Sequence, residues 1–422
     1  MKETTAHPPP SLEDLPISIK LLLISILVGF FAFIIFIINS RGFFEYAGID
    51  YKLWYSSGMI ARQDGFALIY NIAYQTQYQQ QLVNSYGIHT PMSMPFLALP
   101  MPYLSVFVLP MVLFSLLEPL TGFALWTIIN LLGIIFYTRY FIQQSHLQGS
   151  RWYFWLLMAA PPVIFNLLFG QVNLLLLVAV GQTILLMRKN QEFFAGFWLA
   201  GMLIKPQTLL LLIPLLILFK KKKELLGFCA GAGILVGISF LLTGNQTLIG
   251  PLNIIRNEPA QFSDSGMNLM SFAVNITKFL PQTYATIFIA LVTVFIVFLT
   301  IKWWLSIQAA VTSDLLELCL LVTLAVTCSI SPHSNIHMAL PMLLPGMVAL
   351  AKRQIPRWLA LTWALAPSTV FLLIAPLSVG GAHAMLGTTM LLVNLSLLFW
   401  VDLKGRAEFT TKLQEPEREG DS

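Results

Sequence analysis

Residues 21–39 read LLLISILVGFFAFIIFIIN, and residues 284–305 read YATIFIALVTVFIVFLTIKWWL. The first stretch has no charged side chain and the second has only Lys302. A helix rises about 1.5 Å per residue, so about 20 apolar residues cross the hydrocarbon layer of a bilayer. With no water in that layer, a spanning segment must pair its own backbone groups, as a helix does, or belong to a closed barrel. Barrel strands alternate in hydrophobicity over roughly ten residues. These unbroken runs do not alternate, so the chain reads as multi-span and α-helical.

Composition agrees. Charged residues make up 10% of the 422 residues, against roughly 25% in an average soluble domain, so a water-facing surface of this size could not be covered. Mean hydropathy is +0.76. The formal charge of +5 does not point to nucleic acid, because the basic residues are scattered at the ends of apolar runs. Cys229, Cys319 and Cys328 all lie within such runs and read as small core residues, not as a disulfide framework or a metal site. The first run is too long for the apolar part of a signal peptide and reads as a retained helix.

Further apolar runs are expected at 120–140, 152–169, 174–187, 193–204, 208–219, 225–242, 315–329, 338–351, 358–376 and 382–401. With the two quoted stretches they make about 12 transmembrane helices in one domain, residues 17–401. Residues 1–16 and 402–422 are expected as disordered cytoplasmic ends. Two polar segments interrupt the pattern, at 40–90 and 243–282. The first mixes Arg41, Glu45, Asp50, Lys52, Arg62 and Asp64 with aromatics, which predicts short amphipathic helices on the membrane surface. The run at 91–117 contains Pro91, Pro95, Pro100, Pro102 and Pro110, and proline removes helix hydrogen bonds. It is expected not to cross. The run at 193–219 is expected as two short helices broken at Lys205-Pro206.

Cytoplasmic loops carry an excess of Lys and Arg. Lys220-Lys221-Lys222-Lys223, Arg188-Lys189 and Lys352-Arg353 therefore anchor the cytoplasmic side, and alternate crossings place both termini inside. Of the 24 Lys and Arg, six fall outside: Arg41, Lys52, Arg62, Lys205, Arg256 and Lys278. On this topology Asp50, the turn Gly170-Gln171-Val172-Asn173, Lys205-Pro206-Gln207, the 243–282 segment and Ser331–His337 share the extracytoplasmic face.

Several of these residues carry chemistry. A charge at membrane depth costs roughly 2.5–3.5 kcal/mol, so Lys205 fits a lipid phosphate, a partner carboxylate or a lysine that snorkels to the interface. Asp50 fits a general base or a helix cap, with Glu45 and Asp64 as rivals in the same loop. His333 and His337, four apart, would share a helix face; too few ligands accompany them for zinc. Gln171 and Asn173 could hydrogen-bond a sugar or cap helix ends. Trp54, Tyr55, Tyr70 and Tyr74 suit sugar stacking or an interfacial belt. No nucleotide-binding loop is present.

Taken in order, these pieces resemble glycosyltransferase family 87. They are Asp50-Tyr51…Tyr55, Trp126…Asn130, Gly170-Gln171-x-Asn173, Ile204-Lys205-Pro206-Gln207 before an apolar run and a basic cluster, Asn268…Ser271, and Ser331-Pro332…His337. The family comprises membrane transferases of the GT-C class, typified by mannosyltransferases that use polyprenyl-phosphate-mannose. The resemblance implies an all-α polytopic GT-C-type fold and hexosyl transfer, mannose first, to a lipid or glycan acceptor outside the plasma membrane. It implies Asp50 as the base. Lys205 and His337, with His333, Gln171, Asn173, Gln207 and Asn268, become candidates for holding the donor. No soluble cofactor and no metal site is implied. A secondary transporter or a lipid-linked-sugar flippase would also use broken helices and buried charge, but no internal repeat is seen here.

Overall fold

The computed structural model describes residues 16–87, 98–147, 158–257, 266–308 and 315–414. The expected N-terminal tail up to Leu15, Pro91, Pro95, the whole of 148–157 and the last residues of the C-terminal tail lie outside them. Among the described residues there are 17 α-helices and no β-strand. In chain order they are α1 (Ile17–Arg41), α2 (Ile49–Gln63), α3 (Ile72–Tyr86), α4 (Leu109–Phe114), α5 (Pro119–Gln144), α6 (Pro161–Phe169), α7 (Leu174–Arg188), α8 (Glu192–Leu199) and α9 (Leu212–Leu218). There follow α10 (Lys222–Thr243), α11 (Gln246–Asn257), α12 (Leu269–Ile276), α13 (Gln282–Gln308), α14 (Leu316–Ile330), α15 (Leu343–Ala351), α16 (Arg357–Ile374) and α17 (Val379–Gln414).

Among the described residues, six helices are long and apolar enough to cross a bilayer: α1, α5, α10, α13, α16 and α17. They expose the residues that a soluble protein would hide. Val28 and Phe31 on α1 and Leu291, Val294 and Phe298 on α13 all point outward. This is a lipid-facing surface, and the protein is an all-α polytopic membrane protein. Two of the shorter apolar helices, α14 and α15, lie within. Leu318 to Ser329 of α14 are all buried, as are most residues of α15. Short and irregular backbone at membrane depth is tolerated only where protein surrounds it.

The break at Lys205-Pro206 is present. Helix α8 runs into a 3-10 turn at Ala200–Ile204, Lys205 is extended, and a second 3-10 turn follows at Pro206–Leu209 before α9. Among its described residues, the proline-rich stretch forms a 3-10 turn at Ser105–Val108 and the six-residue α4, which is too short to cross. Two expectations need correction. Helix α2 does not lie on a surface: Tyr51 to Gly58 are all buried, because Gly58 lets the Met111 backbone approach to contact. The C-terminal helix runs on to Gln414 instead of ending near Val401, through residues with good helix propensity such as Leu403, Lys404 and Ala407.

Glycines set the closest helix crossing. A Cβ on Gly196 of α8 would lie 1.8 Å from the Glu224 carbonyl oxygen of α10, and one on Gly227 would lie 1.9 Å from the Phe193 carbonyl oxygen. Small residues at such crossings let two backbones pack directly in a membrane. At one end of the bundle, Arg188 and Lys352 both pair with Glu317, at 2.6 Å and 3.2 Å. The Glu317 side chain is fully buried. The ends of α7 and α15 and the start of α14 thus meet at one point.

Gly196→Ala is expected to lower the thermal unfolding midpoint of the detergent-solubilised protein, by roughly 1–3 kcal/mol of stability. Gly233→Ala, where an added Cβ meets nothing within 4 Å, is expected to leave it unchanged or slightly raised.

Candidate functional site

The site is built around the Gly170–Asn173 turn between α6 and α7. Gly170 takes the left-handed conformation, φ 70°, that closes α6. A Cβ there would lie 2.5 Å from Cβ of Tyr51, so glycine lets the turn sit on the first turn of α2. The Gly48 N–H donates to the Leu168 carbonyl at 2.8 Å. From the other side, the Trp126 indole N–H donates to the Gly170 carbonyl at 3.0 Å. Trp126 is therefore a clamp on the turn. These contacts place Asp50 beside Gln171.

Gln171 joins two charges. Its carbonyl accepts from the Lys205 ammonium at 2.8 Å, and its side chain hydrogen-bonds the Asp50 carboxylate. Lys205 is 2% exposed. Asp50 is half-buried. Burial pushes its carboxyl above the usual 3.8, opposed by the positive charge of Lys205, by the Gln171 hydrogen bond and by Lys52. A carboxylate, an amide and an ammonium thus meet from α2, the α6–α7 turn and the Lys205 break.

His337 joins from the fourth side. It is buried in the 3-10 turn Ile336–Met342, within electrostatic reach of Lys205. Its ring lies edge-on to Phe169, centroids 6.2 Å apart. The Asn173 side chain donates to the His337 carbonyl at 3.0 Å and so ties this turn to the Gly170–Asn173 turn. Gln207 is half-buried and contacts the Met338 sulfur at 3.7 Å. Asn268 caps α12 through the Ser271 N–H, and its amide donates to the Ser334 carbonyl at 3.1 Å. Its side chain is thereby engaged with backbone.

His333 does not share a helix face with His337. The helical turn begins only at Ile336, after Pro332 and the extended Asn335, and His333 precedes it on an exposed bend. Of the aromatics, Trp54 stacks on Tyr103 with centroids 5.1 Å apart, and the Tyr103 phenol feels the charge of Asp50. Tyr55 donates to the Leu117 carbonyl and Tyr70 to the Tyr103 carbonyl. The Tyr74 N–H donates to the Asn71 side chain that caps α3, and Asp64 accepts from the Tyr78 hydroxyl on an exposed surface.

Lys52 and Tyr103 were missed by sequence reasoning. Lys52 is buried, and burial pushes its ammonium down to about 8, opposed by the charges of Asp50 and Glu45. The signal was available: a lysine two residues after Asp50 in an aromatic run has to be paired when that run is buried. Among the described residues no group of three or more His, Cys, Asp or Glu could hold a metal ion.

The fold and this charged cluster define a membrane protein with a polar site enclosed by its own helices. The chain belongs to glycosyltransferase family 87, whose model matches residues 103–332, more than half of its length. Neither the curated proteins nor the solved structures contain a match to it. The matched stretch supplies Trp126, Gln171, Lys205 and Asn268. Asp50 and His337 come from outside it and are brought in by the fold.

Gln171→Leu is expected to destabilise the protein by roughly 1–3 kcal/mol, because it leaves the buried Lys205 ammonium without its acceptor. Adding Lys205→Met should recover most of the loss. Thermal unfolding of the two single variants and the double variant in detergent checks this coupling.

Proposed function

We propose that this family member is a hexosyltransferase that moves a sugar, mannose first among candidates, from a polyprenyl-phosphate donor to a lipid or glycan acceptor. Its site faces the extracytoplasmic side of the plasma membrane, with both termini in the cytoplasm. The observation that carries the reading is the meeting of Asp50, Gln171 and Lys205 in one enclosed cluster. The orientation is supported by the far end of the bundle, where Arg188 and Lys352 of the basic loops meet on Glu317.

The chemistry divides between the two charges. Asp50 takes the proton of the acceptor hydroxyl as its oxygen attacks the anomeric carbon. The bond from that carbon to the donor phosphate oxygen breaks, and the electron pair leaves with polyprenyl phosphate. Lys205 has three N–H donors and gives one to Gln171, so others can meet the departing phosphate. His337 stands on the same side. Asn173 holds the backbone of that turn, and Gln171 keeps carboxylate and ammonium apart so that they do not simply pair. Gln207, Asn268 and His333 line or brace the approach.

Two expectations follow from these roles. Purified protein in lipid, given polyprenyl-phosphate-mannose and a membrane glycolipid extract, should transfer sugar, and Asp50→Asn should lose transfer by at least about 10²-fold while inserting and folding normally. In the wild type, kcat/KM should fall on the acid side as Asp50 takes up a proton. Because burial raises its pKa, that limb should lie above 3.8. Retained turnover in Asp50→Asn would remove the base assignment.

Lys205→Ala is expected to weaken donor use more than acceptor use, by roughly tenfold or more in donor KM or kcat. It should also move the acid limb to higher pH, since the Lys205 charge holds the Asp50 pKa down. Initial rates at varied donor, acceptor and pH measure both. An unchanged donor dependence would leave Lys205 a structural partner of Gln171.

A further inference from the structure

Helix α17 begins beside the site, and its first turns carry a histidine that no motif includes. His383 lies outside the family-matched stretch and is half-buried. Its Nε2 is hydrogen-bonded to the Tyr46 hydroxyl. Four aromatic rings surround its imidazole: Phe371 at 5.1 Å, Tyr46 and Phe165 at 5.5 Å, and Phe169 at 6.5 Å between centroids.

The neighbours belong to the two arms of the site. Tyr46 lies in the 42–48 loop that ends at the first turn of α2, four residues before Asp50. Phe165 and Phe169 lie on α6, which ends directly in Gly170-Gln171. The loop is backbone-strained: Phe44 has φ 68°, a conformation that a bulky residue holds only when its surroundings impose it. Gly42 and Gly48 on either side are also left-handed. Backbone bonds tie the loop to α1, α3 and α6 and to itself: Gly42 N–H to the Ile38 carbonyl at 3.0 Å, Phe43 N–H to the Tyr86 carbonyl at 3.3 Å, Gly48 N–H to the Leu168 carbonyl at 2.8 Å, Phe44 N–H to the Ala47 carbonyl at 2.7 Å, and Ile49 N–H to the Tyr46 carbonyl at 3.3 Å. None of them reaches α17, and the Tyr46 side chain adds that tie. Phe169 in turn meets the His337 ring.

We infer that His383 is a positioning residue for the transfer site: by holding Tyr46 and packing on Phe165 and Phe169, it fixes the Asp50 loop against the Gln171 turn. The catalytic part of this inference rests on the transferase reading above; the tether itself does not. His383 touches no reacting atom. A net protein hydrogen bond is worth about 1 kcal/mol, so its loss should change the population of the aligned loop by roughly fivefold to tenfold.

Three substitutions separate a tether from mere packing. His383→Phe keeps a ring and loses the bond, Tyr46→Phe removes the other partner, and His383→Gln keeps a nitrogen near the Nε2 position. Hydrogen–deuterium exchange of full-length protein in detergent is read over residues 42–52. Both phenylalanine variants should exchange there roughly fivefold to tenfold faster than wild type, with the glutamine variant close to wild type. In the transfer assay the phenylalanine variants should lose a similar factor in kcat with donor and acceptor KM unchanged. The double variant should be no worse than either single one.

Unchanged exchange in both phenylalanine variants overturns the tether, whatever the transfer assay gives. Faster exchange with unchanged kcat overturns the catalytic part. Additive losses in the double variant overturn the claim that His383 acts through Tyr46. Wild-type protein that transfers no lipid-linked sugar counts against the transferase reading and the catalytic part together, and the exchange result then decides the tether alone.

Discussion

The buried ammonium of Lys205 governs this architecture. A cation surrounded by helices is stable only with its hydrogen bonds made and a counter-charge close by. Gln171 supplies the first and Asp50 the second. Each requirement recruits a segment. Asp50 must come in on α2, so α2 must enter the bundle. Gln171 must face both charges, so the Gly170 turn must press on Tyr51. The helix bearing Lys205 must stop there, and the residue after it is a proline, which has no N–H to donate.

Much of this could be read from the sequence. The six long helices announced themselves by uninterrupted apolar runs, and the break at Lys205 by a lysine and a proline side by side. Asp50, Gln171, Lys205 and His337 were visible because polar residues are scarce in such a chain. What could not be read was depth. The segment containing α2 has the composition of a surface helix, yet Gly58 allows Met111 to approach and buries it. Its character comes from contacts with α4, some fifty residues away, and composition carries no trace of such contacts. Lys52 was overlooked for the same reason.

His333 and His337 show a second limit. Spacing of four means a shared face only if the stretch is helical throughout, and Pro332 and Asn335 postpone the helical turn to Ile336. His383 shows a third. It belongs to no recognisable pattern, and what marks it out is its bond to the Tyr46 hydroxyl and the rings that three distant segments place around it. Motif reading finds residues that contact a substrate more readily than those that hold the contacts in place.

The lengths of the inner helices carry one more implication. Helices α7 and α14 have 15 residues each, or about 22 Å, against about 30 Å of hydrocarbon. Near one end of this pair lie Gln171, Asn173 and Ser331, and near the other Arg188 and Glu317. The polar groups at the two ends of this pair therefore stand closer together than the hydrocarbon layer is thick.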